Sequence, residues 1–200
     1  MRYLKNDGTN KHLIITLHGT GGSASDLFSI AQYIDPQATL VGFQGEVYER
    51  GMARYFARYS DGSFDLRSLA KATYDLKASI EELIEKYGYQ DYKLTLIGYS
   101  NGANLAINYL KEFDEVPLDY ALLYHPSMVR AETAFKNQSD LKVLITSGAN
   151  DPYISAELFE QLKQQFQQAQ ISVDSYQHQF GHQLIQEELD YSREFLNDVV

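Results

Sequence analysis

A serine hydroxyl becomes a nucleophile only when a neighbouring base takes its proton. One serine in this chain sits in a setting built for that chemistry. The stretch Leu94-Thr95-Leu96-Ile97-Gly98-Tyr99-Ser100-Asn101-Gly102-Ala103 is a short apolar run, a G-x-S-x-G pentapeptide and the start of a helical pattern. A strand that turns sharply into a helix exposes a serine at its apex, in a backbone that only small neighbours tolerate. Gly98 and Gly102 stand at the two positions where a Cβ would crowd that turn. A helix beginning at Asn101 also turns free N–H groups, and the positive end of its dipole, toward the serine oxygen. The plainer alternative is a serine in an ordinary glycine-rich turn.

A nucleophile needs a base and an acid to orient that base. The histidines are His12, His18, His125, His178 and His182. In one arrangement of serine hydrolases the acid and then the histidine follow the serine along the chain. Only His178 and His182 come after the start of the last apolar run, and His182 follows Gly181 in a loop able to swing its imidazole over the sheet. His178 is expected to be a surface or packing residue. The two are four apart, a metal-like spacing, but Gly181 and the lack of a nearby carboxylate weaken that reading. The expected acid is Asp151, in the turn after Val143-Leu144-Ile145-Thr146-Ser147. There it would accept the second imidazole N–H and stabilise the imidazolium. An Asp-Pro turn with no further role is the competing reading.

A developing alkoxide needs donors. Leu13-Ile14-Ile15-Thr16-Leu17-His18-Gly19-Thr20-Gly21-Gly22 reads as a first strand and a glycine-rich loop. The expected oxyanion donors are the backbone N–H groups of Thr20 and Asn101. A phosphate loop would need Gly-Lys-Ser/Thr or G-x-G-x-x-G, and neither is present there. His18 is expected to prop this loop by hydrogen bonding.

Apolar runs of strand length alternate with helical patterns and supply the scaffold. Strands are expected over His12–Leu17, Ala38–Gly42, Lys93–Gly98, Leu118–Tyr124, Lys142–Ser147 and Ile171–Tyr176. Helices are expected near Ser25–Ile34, Asp65–Tyr87, Asn101–Phe113, Ser155–Ala169 and 184–199. In the longest, Leu66, Leu69, Thr73, Leu76, Ile80, Leu83, Ile84 and Tyr87 recur at three and four residues, with Asp65 as N-cap and Gly88 as stop. This alternation implies a parallel sheet covered on both faces, with ligands beyond the C-terminal strand ends. Tyr3-Leu4-Lys5 with Asp7-Gly8 reads as a short antiparallel edge hairpin.

Taken together, Leu17-His18-Gly19-Thr20-Gly21-Gly22, Gly98-Tyr99-Ser100-Asn101-Gly102, Asn150-Asp151-Pro152 and Gly181-His182 resemble the signatures of the phospholipase/carboxylesterase family of α/β-hydrolases. Gly51-Met52-Ala53-Arg54-Tyr55-Phe56-Ala57-Arg58 and Tyr124-His125-Pro126-Ser127-Met128-Val129 resemble its bacterial branch of small carboxylesterases linked to hydroquinone and quinone resistance. The resemblance implies a minimal α/β-hydrolase fold: a mostly parallel sheet of about six or seven strands, helices on both faces and no large cap domain. It implies a second strand lying outside the first, with the third on the other side. It also implies ester cleavage through an acyl-enzyme and no cofactor. One departure is Ser127, which stands inside a motif expected to read His-Pro-Met-Val and bears on the local pocket shape.

The segment 43–64 has no clear strand and is the candidate pocket wall. Arg50, Arg54 and Arg58 are four apart, so a helix would carry them as one stripe, interleaved with Tyr48, Tyr55, Phe56 and Tyr59. One reading is a basic, aromatic rim favouring aryl or anionic esters; the plainer one is a solvated arginine face over buried rings. Tyr124 and His125 end a strand and are expected to line the pocket beside Arg54 and Arg58.

Length and composition set the bounds. A chain of 200 residues with 44% hydrophobic and 22% charged residues is expected to be one globular domain, 1–200. A net charge of −10 argues against a general nucleic-acid or anionic-membrane surface. With no cysteine, disulfides, thiolate metal sites and a thiol nucleophile are excluded, and no metal is expected. No signal-peptide pattern opens the sequence and no apolar run reaches membrane-spanning length, so a cytoplasmic protein acting on a small-molecule ester is expected. A homodimer is compatible with the sequence. The alternatives are a lysophospholipase or acyl-protein thioesterase with a long acyl groove, and an inactive hydrolase-fold binding protein.

Overall fold

All six residues of β2 (His12–Leu17) are buried, as a strand with helices on both faces must be. Around it the computed structural model describes residues 1–196. Along the chain run β1 (Tyr3–Asn6), β2, α1 (Phe28–Ile34), β3 (Thr39–Phe43), β4 (Val47–Glu49), β5 (Met52–Arg54), α2 (Leu66–Tyr87) and β6 (Lys93–Tyr99). Then follow α3 (Asn101–Glu112), β7 (Tyr120–Tyr124), β8 (Lys142–Gly148), α4 (Ala156–Gln168), β9 (Ser172–His178) and α5 (Gln186–Phe195). The helix expected near 184–199 is thus α5, and its expected positions 197–199 lie outside the described residues. No helix among the described residues is long and apolar enough to cross a membrane.

The main sheet has the order β1-β3-β2-β6-β7-β8-β9 and is parallel throughout except for β1. The second expected strand, now β3, lies outside β2, and β6 lies on its other side. One core contains Leu76 of α2, Leu105 of α3 and Phe159 of α4; the other contains Ala31 of α1 and Leu196 after α5. The sheet is a parallel core between two helical layers, without a cap domain.

Two expectations need correction. The N-terminal segment is an antiparallel edge strand, but not half of a local hairpin: Tyr3 pairs with Phe43 and Asn6 with Leu40, across the intervening β2 and α1. Within 43–64, β4 and β5 form a separate antiparallel pair, with Val47 opposite Arg54 and Glu49 opposite Met52. Their three-residue length leaves too little alternation to read from sequence.

Helix α2 follows its sequence signals closely. Asp65 accepts from the backbone N–H groups of Arg67 and Ser68, and Gly88 ends the helix at φ 70°. Leu69, Thr73, Leu76, Ile80 and Leu83 form the buried face, whereas Leu66 at the first helical position is 56% exposed. Asp65→Ala should cost about 1 kcal/mol by leaving those N–H groups uncapped. For a chain of this size that is a Tm drop of about 2–4 °C, read by thermal denaturation; an unchanged Tm would contradict the capping role.

Candidate active site

The turn between β6 and α3 holds Ser100 at φ 52° and ψ −111°, a left-handed backbone that a non-glycine residue adopts only when its surroundings impose it. Two features impose it. The Ser100 N–H donates to the Tyr124 carbonyl at 2.9 Å. A Cβ on Gly102 would lie 2.1 Å from the Leu17 carbonyl oxygen, so α3 approaches β2 closer than any side chain allows. Gly98 is similarly tight, with a Cβ position 2.8 Å from the Ala103 backbone.

Loops after two other strands meet at this apex. Ser100 Oγ lies 2.8 Å from His182 Nε2, and His182 Nδ1 lies 2.7 Å from Asp151 Oδ2. Asp151 follows β8 and His182 follows β9. The loops are pressed together at Gly148, where a Cβ would sit 2.2 Å from the Phe180 carbonyl oxygen. Asn150 joins them as well, its N–H donating to Phe180 O at 3.1 Å and its side-chain amide to Gln179 O at 2.6 Å. The His182 ring stacks against Tyr99 at 5.4 Å and meets Tyr153 edge-on at 4.7 Å. Burial pushes the Asp151 carboxyl up, but hydrogen bonds from the Tyr153 N–H and from His125 and His182 outweigh it and hold the group below its ordinary value. The acid is therefore an anion against an imidazole whose other nitrogen faces a hydroxyl, a geometry suited to proton transfer.

The glycine-rich loop after β2 is braced from beneath. His18 Nδ1 lies 2.6 Å from the Gly19 carbonyl and its Nε2 accepts from the Gly45 N–H at 3.0 Å. Burial lowers its pKa, so it is a neutral prop, the role expected of it. Gly21 donates to Ala53 O at 2.8 Å, and Arg54 Nη1 donates to Thr20 Oγ1 at 2.6 Å. Asn101 is fixed through its side chain, whose oxygen accepts the Tyr55 N–H at 2.8 Å. The backbone N–H groups of Thr20 and Asn101 have no partner among the described residues.

A cleft of about 600 Å³ opens over Ser100, with Thr20, Arg54, Arg58, Phe64, Met128 and Tyr153 in its walls. The arginines come from a β-hairpin and the loop after it, so the helical stripe considered from their spacing does not exist. Arg54 is 3% exposed, and its Nε donates to the Phe56 carbonyl. Arg58 Nε meets both Glu49 oxygens at 3.0 and 2.9 Å, with Arg54 Nε 3.5 Å from the same carboxylate. Tyr55 and Phe56 are buried, while Tyr48 and Tyr59 are exposed. Ser127 also lines the cleft, its N–H held by the Asn104 side-chain oxygen at 2.7 Å. A depression of about 610 Å³ at the opposite, N-terminal strand ends, lined by Lys93, Leu118 and Leu141 among others, has no histidine among the described residues of its lining, and its one serine there, Ser139, donates to the Glu115 carboxylate at 2.6 Å.

Tyr124 and His125 require a correction: they do not line the cleft. Both are fully buried, with the Tyr124 hydroxyl donating to Ser192 Oγ at 2.7 Å. His125 instead lies behind the acid. Its Nδ1 is 3.0 Å from Asp151 Oδ2 and its Nε2 is 3.0 Å from Glu188 Oε1. Burial pushes the His125 pKa down, but bonding to Glu188 and then Asp151 more than reverses this and raises it. Burial likewise pushes Glu188 up, yet its hydrogen bonds with His125 and from the Ile185 N–H leave it lowered. His178 is a packing residue and not a surface one, accepting the Phe180 N–H on Nδ1 at 3.0 Å with Nε2 3.4 Å from Glu188 Oε2. Glu188 has no precedent in the sequence pattern, since a single glutamate early in an acidic helix carries no mark of burial. His125, Asp151 and His182, and His125, His178 and Glu188, each gather metal-ligand atom types within 4.8 Å. In both groups these atoms are already taken up in the contacts just described.

A sequence model of the dienelactone hydrolase family matches residues 5–194. MhqD of Bacillus subtilis (strain 168) is 36% identical over 200 residues, covering 100% of both chains. Among solved structures, the Bacillus cereus carboxylesterase aligns with a TM-score of 0.93 at 32% identity, over 100% of this chain and 95% of that one. YahD, solved with malic acid, aligns with a TM-score of 0.88 at 28% identity, over 100% of this chain and 99% of that one.

Proposed function

The chain belongs to the dienelactone hydrolase family, and we propose that it is a serine hydrolase that cleaves carboxylic esters of small acyl or aryl substrates through an acyl-enzyme. The observation that carries this reading is the unbroken series Ser100 Oγ, His182 and Asp151, joined at 2.8 and 2.7 Å at the floor of an open cleft. Ser100 attacks the carbonyl carbon as His182 Nε2 takes its proton, and Asp151 stabilises the resulting imidazolium. The Thr20 and Asn101 N–H groups receive the oxyanion, each donor being worth about 2.7–4 kcal/mol in the transition state. His182 then protonates the leaving alcohol and activates the water that releases the acid. Thioesters fit the same sequence of steps. Likeness to a carboxylesterase over the whole chain supports ester chemistry.

The test is intact mass after exposure to a fluorophosphonate. A single adduct on Ser100 is expected, and a folded protein without one would remove the serine mechanism. A p-nitrophenyl series from acetate to decanoate should fall with acyl length; a rise toward long chains would favour the lysophospholipase or acyl-protein thioesterase alternative.

Two guanidiniums share one carboxylate on the cleft wall, so Arg54, Arg58 and Glu49 together carry a net positive charge beside the nucleophile. That charge favours esters bearing an anion. Because Arg54 also holds Thr20, Arg58 is the cleaner probe. Arg58→Gln should lower kcat/KM on a succinate monoester about threefold to fivefold relative to a neutral ester of equal size, the effect of one partly screened charge. Equal losses on both would leave the arginines as structural groups.

A further inference from the structure

We infer that His125 is a positioning residue for the acid of the triad: a buried imidazolium clamped between Asp151 and Glu188, it fixes the Asp151 carboxylate and tempers its pull on the His182 proton. This rests on reading Ser100, His182 and Asp151 as the hydrolytic triad.

The argument starts from donor and acceptor counts. An ionised carboxylate only accepts hydrogen bonds, and a neutral imidazole has one N–H and one bare nitrogen. His125 presents both ring nitrogens to carboxylate oxygens at 3.0 Å, with no exposure to water. A neutral ring would leave a lone pair facing an anion unless Glu188 kept the proton. Glu188 accepts the Ile185 N–H in the first turn of α5 and is held below its ordinary value, so it is the poorer place for that proton and both ring nitrogens carry protons. Two buried carboxylates and one imidazolium then leave a single net negative charge, which is far less costly than two unpaired anions.

The clamp is anchored at every point. Asp151 Oδ2 is shared between His125 and His182, while Oδ1 accepts the Tyr153 N–H at 2.9 Å, so the carboxylate cannot rotate. Glu188 Oε2 accepts the Ile185 N–H at 2.9 Å, in the first turn of α5 where the helix dipole favours an anion. His125 itself is held at φ 51°, its N–H donating to Thr146 O at 3.0 Å. A left-handed backbone at a buried imidazole is strain that the surrounding contacts must maintain.

The groups facing His125 are Asp151 after β8, Glu188 of α5, His178 of β9, His182 beyond it and the Tyr99 ring of β6. Those facing His182 are Ser100, Asp151, His125, Tyr99 and Tyr153. Within this set the cation nearest His182 is His125, and Glu188 lies on its far side. The imidazolium therefore draws negative charge away from the oxygen that holds the His182 proton. His182 must be unprotonated to accept the serine proton, so the clamp keeps the enzyme active to lower pH than an isolated aspartate would.

Two measurements test this. Nitrogen-detected NMR of histidine-labelled wild type counts ring protons without turnover. Two N–H protons on His125 at pH 8 are expected, and a single one would overturn the inference. The double variant His125→Gln/Glu188→Gln removes the cation and its counter-anion together, leaving no unpaired charge. Its acid limb of kcat/KM should move up by about one pH unit, the scale of one nearby charge, with KM little changed. A lower kcat at every pH with the limb unmoved would show packing alone and overturn the tempering role. Should the double variant fail to fold, the ring-proton count on wild type still decides. Failure of the triad reading shows separately, as a wild type that takes no fluorophosphonate.

Discussion

Ser100→Ala should fold as wild type does and lose ester hydrolysis by about 10⁴- to 10⁶-fold in kcat, the range for removing a member of a nucleophile–base pair that acts as one unit. The fold is spared because, among the described residues, the hydroxyl hydrogen-bonds only to His182 and the position is held by backbone contacts: the Ser100 N–H to Tyr124 O and the Ser100 carbonyl to the Asn104 N–H. Alanine tolerates the left-handed φ no worse than serine. Activity is the sensitive quantity, because without an attacking oxygen neither His182 nor the oxyanion donors have an intermediate to act on. His182→Ala should fall by a similar factor, and combining the two should add little. The check is single-turnover hydrolysis of p-nitrophenyl acetate beside a circular-dichroism melt. A Ser100→Ala protein with more than a hundredth of wild-type kcat would remove Ser100 as nucleophile.

The second large effect belongs to a methyl group. Gly102→Ala places a Cβ 2.1 Å from the Leu17 carbonyl oxygen and 2.7 Å from that of His18. Both obstacles are backbone, so no side chain can rotate away and α3 must shift from the end of β2. Overpacking of this kind costs about 3 kcal/mol, near the upper part of its usual range. For a chain of this length that corresponds to a Tm lower by about 6–12 °C. The same shift moves the Asn101 N–H away from the Thr20 loop, and a misplacement near 1 Å costs about 100-fold in rate. Thermal denaturation and kcat, measured together, should both fall. A variant as stable and active as wild type would mean that the two elements do not approach so closely.

Much of this was legible in the sequence because the relevant signals are local. Gly98, Ser100 and Gly102 mark a turn through their sizes, and the apolar runs on either side declare the strand and the helix. Chain order brings Asp151 and His182 to the same end of the sheet as Ser100, since the residues following β6, β8 and β9 all emerge there. The likeness to small carboxylesterases follows from those motifs, and the family is the dienelactone hydrolase family. What the sequence hides is long-range. Whether Tyr124 and His125 face the cleft or the interior depends on which neighbour lies beyond β7, and that neighbour, Glu188, is 63 residues from His125. The strands β4 and β5 are too short to show alternation, so Arg50, Arg54 and Arg58 imitate a helical spacing. The pairing partner of β1 is chosen by the sheet edge and not by the turn that follows it.

On the proposed mechanism the base is carried just beyond β9, which among the described residues pairs with β8 alone at the sheet edge, and it reaches the serine across 82 residues. During synthesis the nucleophile and its helix therefore emerge long before the proton acceptor does. On that mechanism a growing chain exposes a serine with no base, and becomes competent only when β9 and the loop after it dock along the sheet edge. Recovery of turnover in a refolding experiment would thus time the last strand, not the formation of the central core. Detachment of that same edge would silence the protein while leaving most of its structure in place.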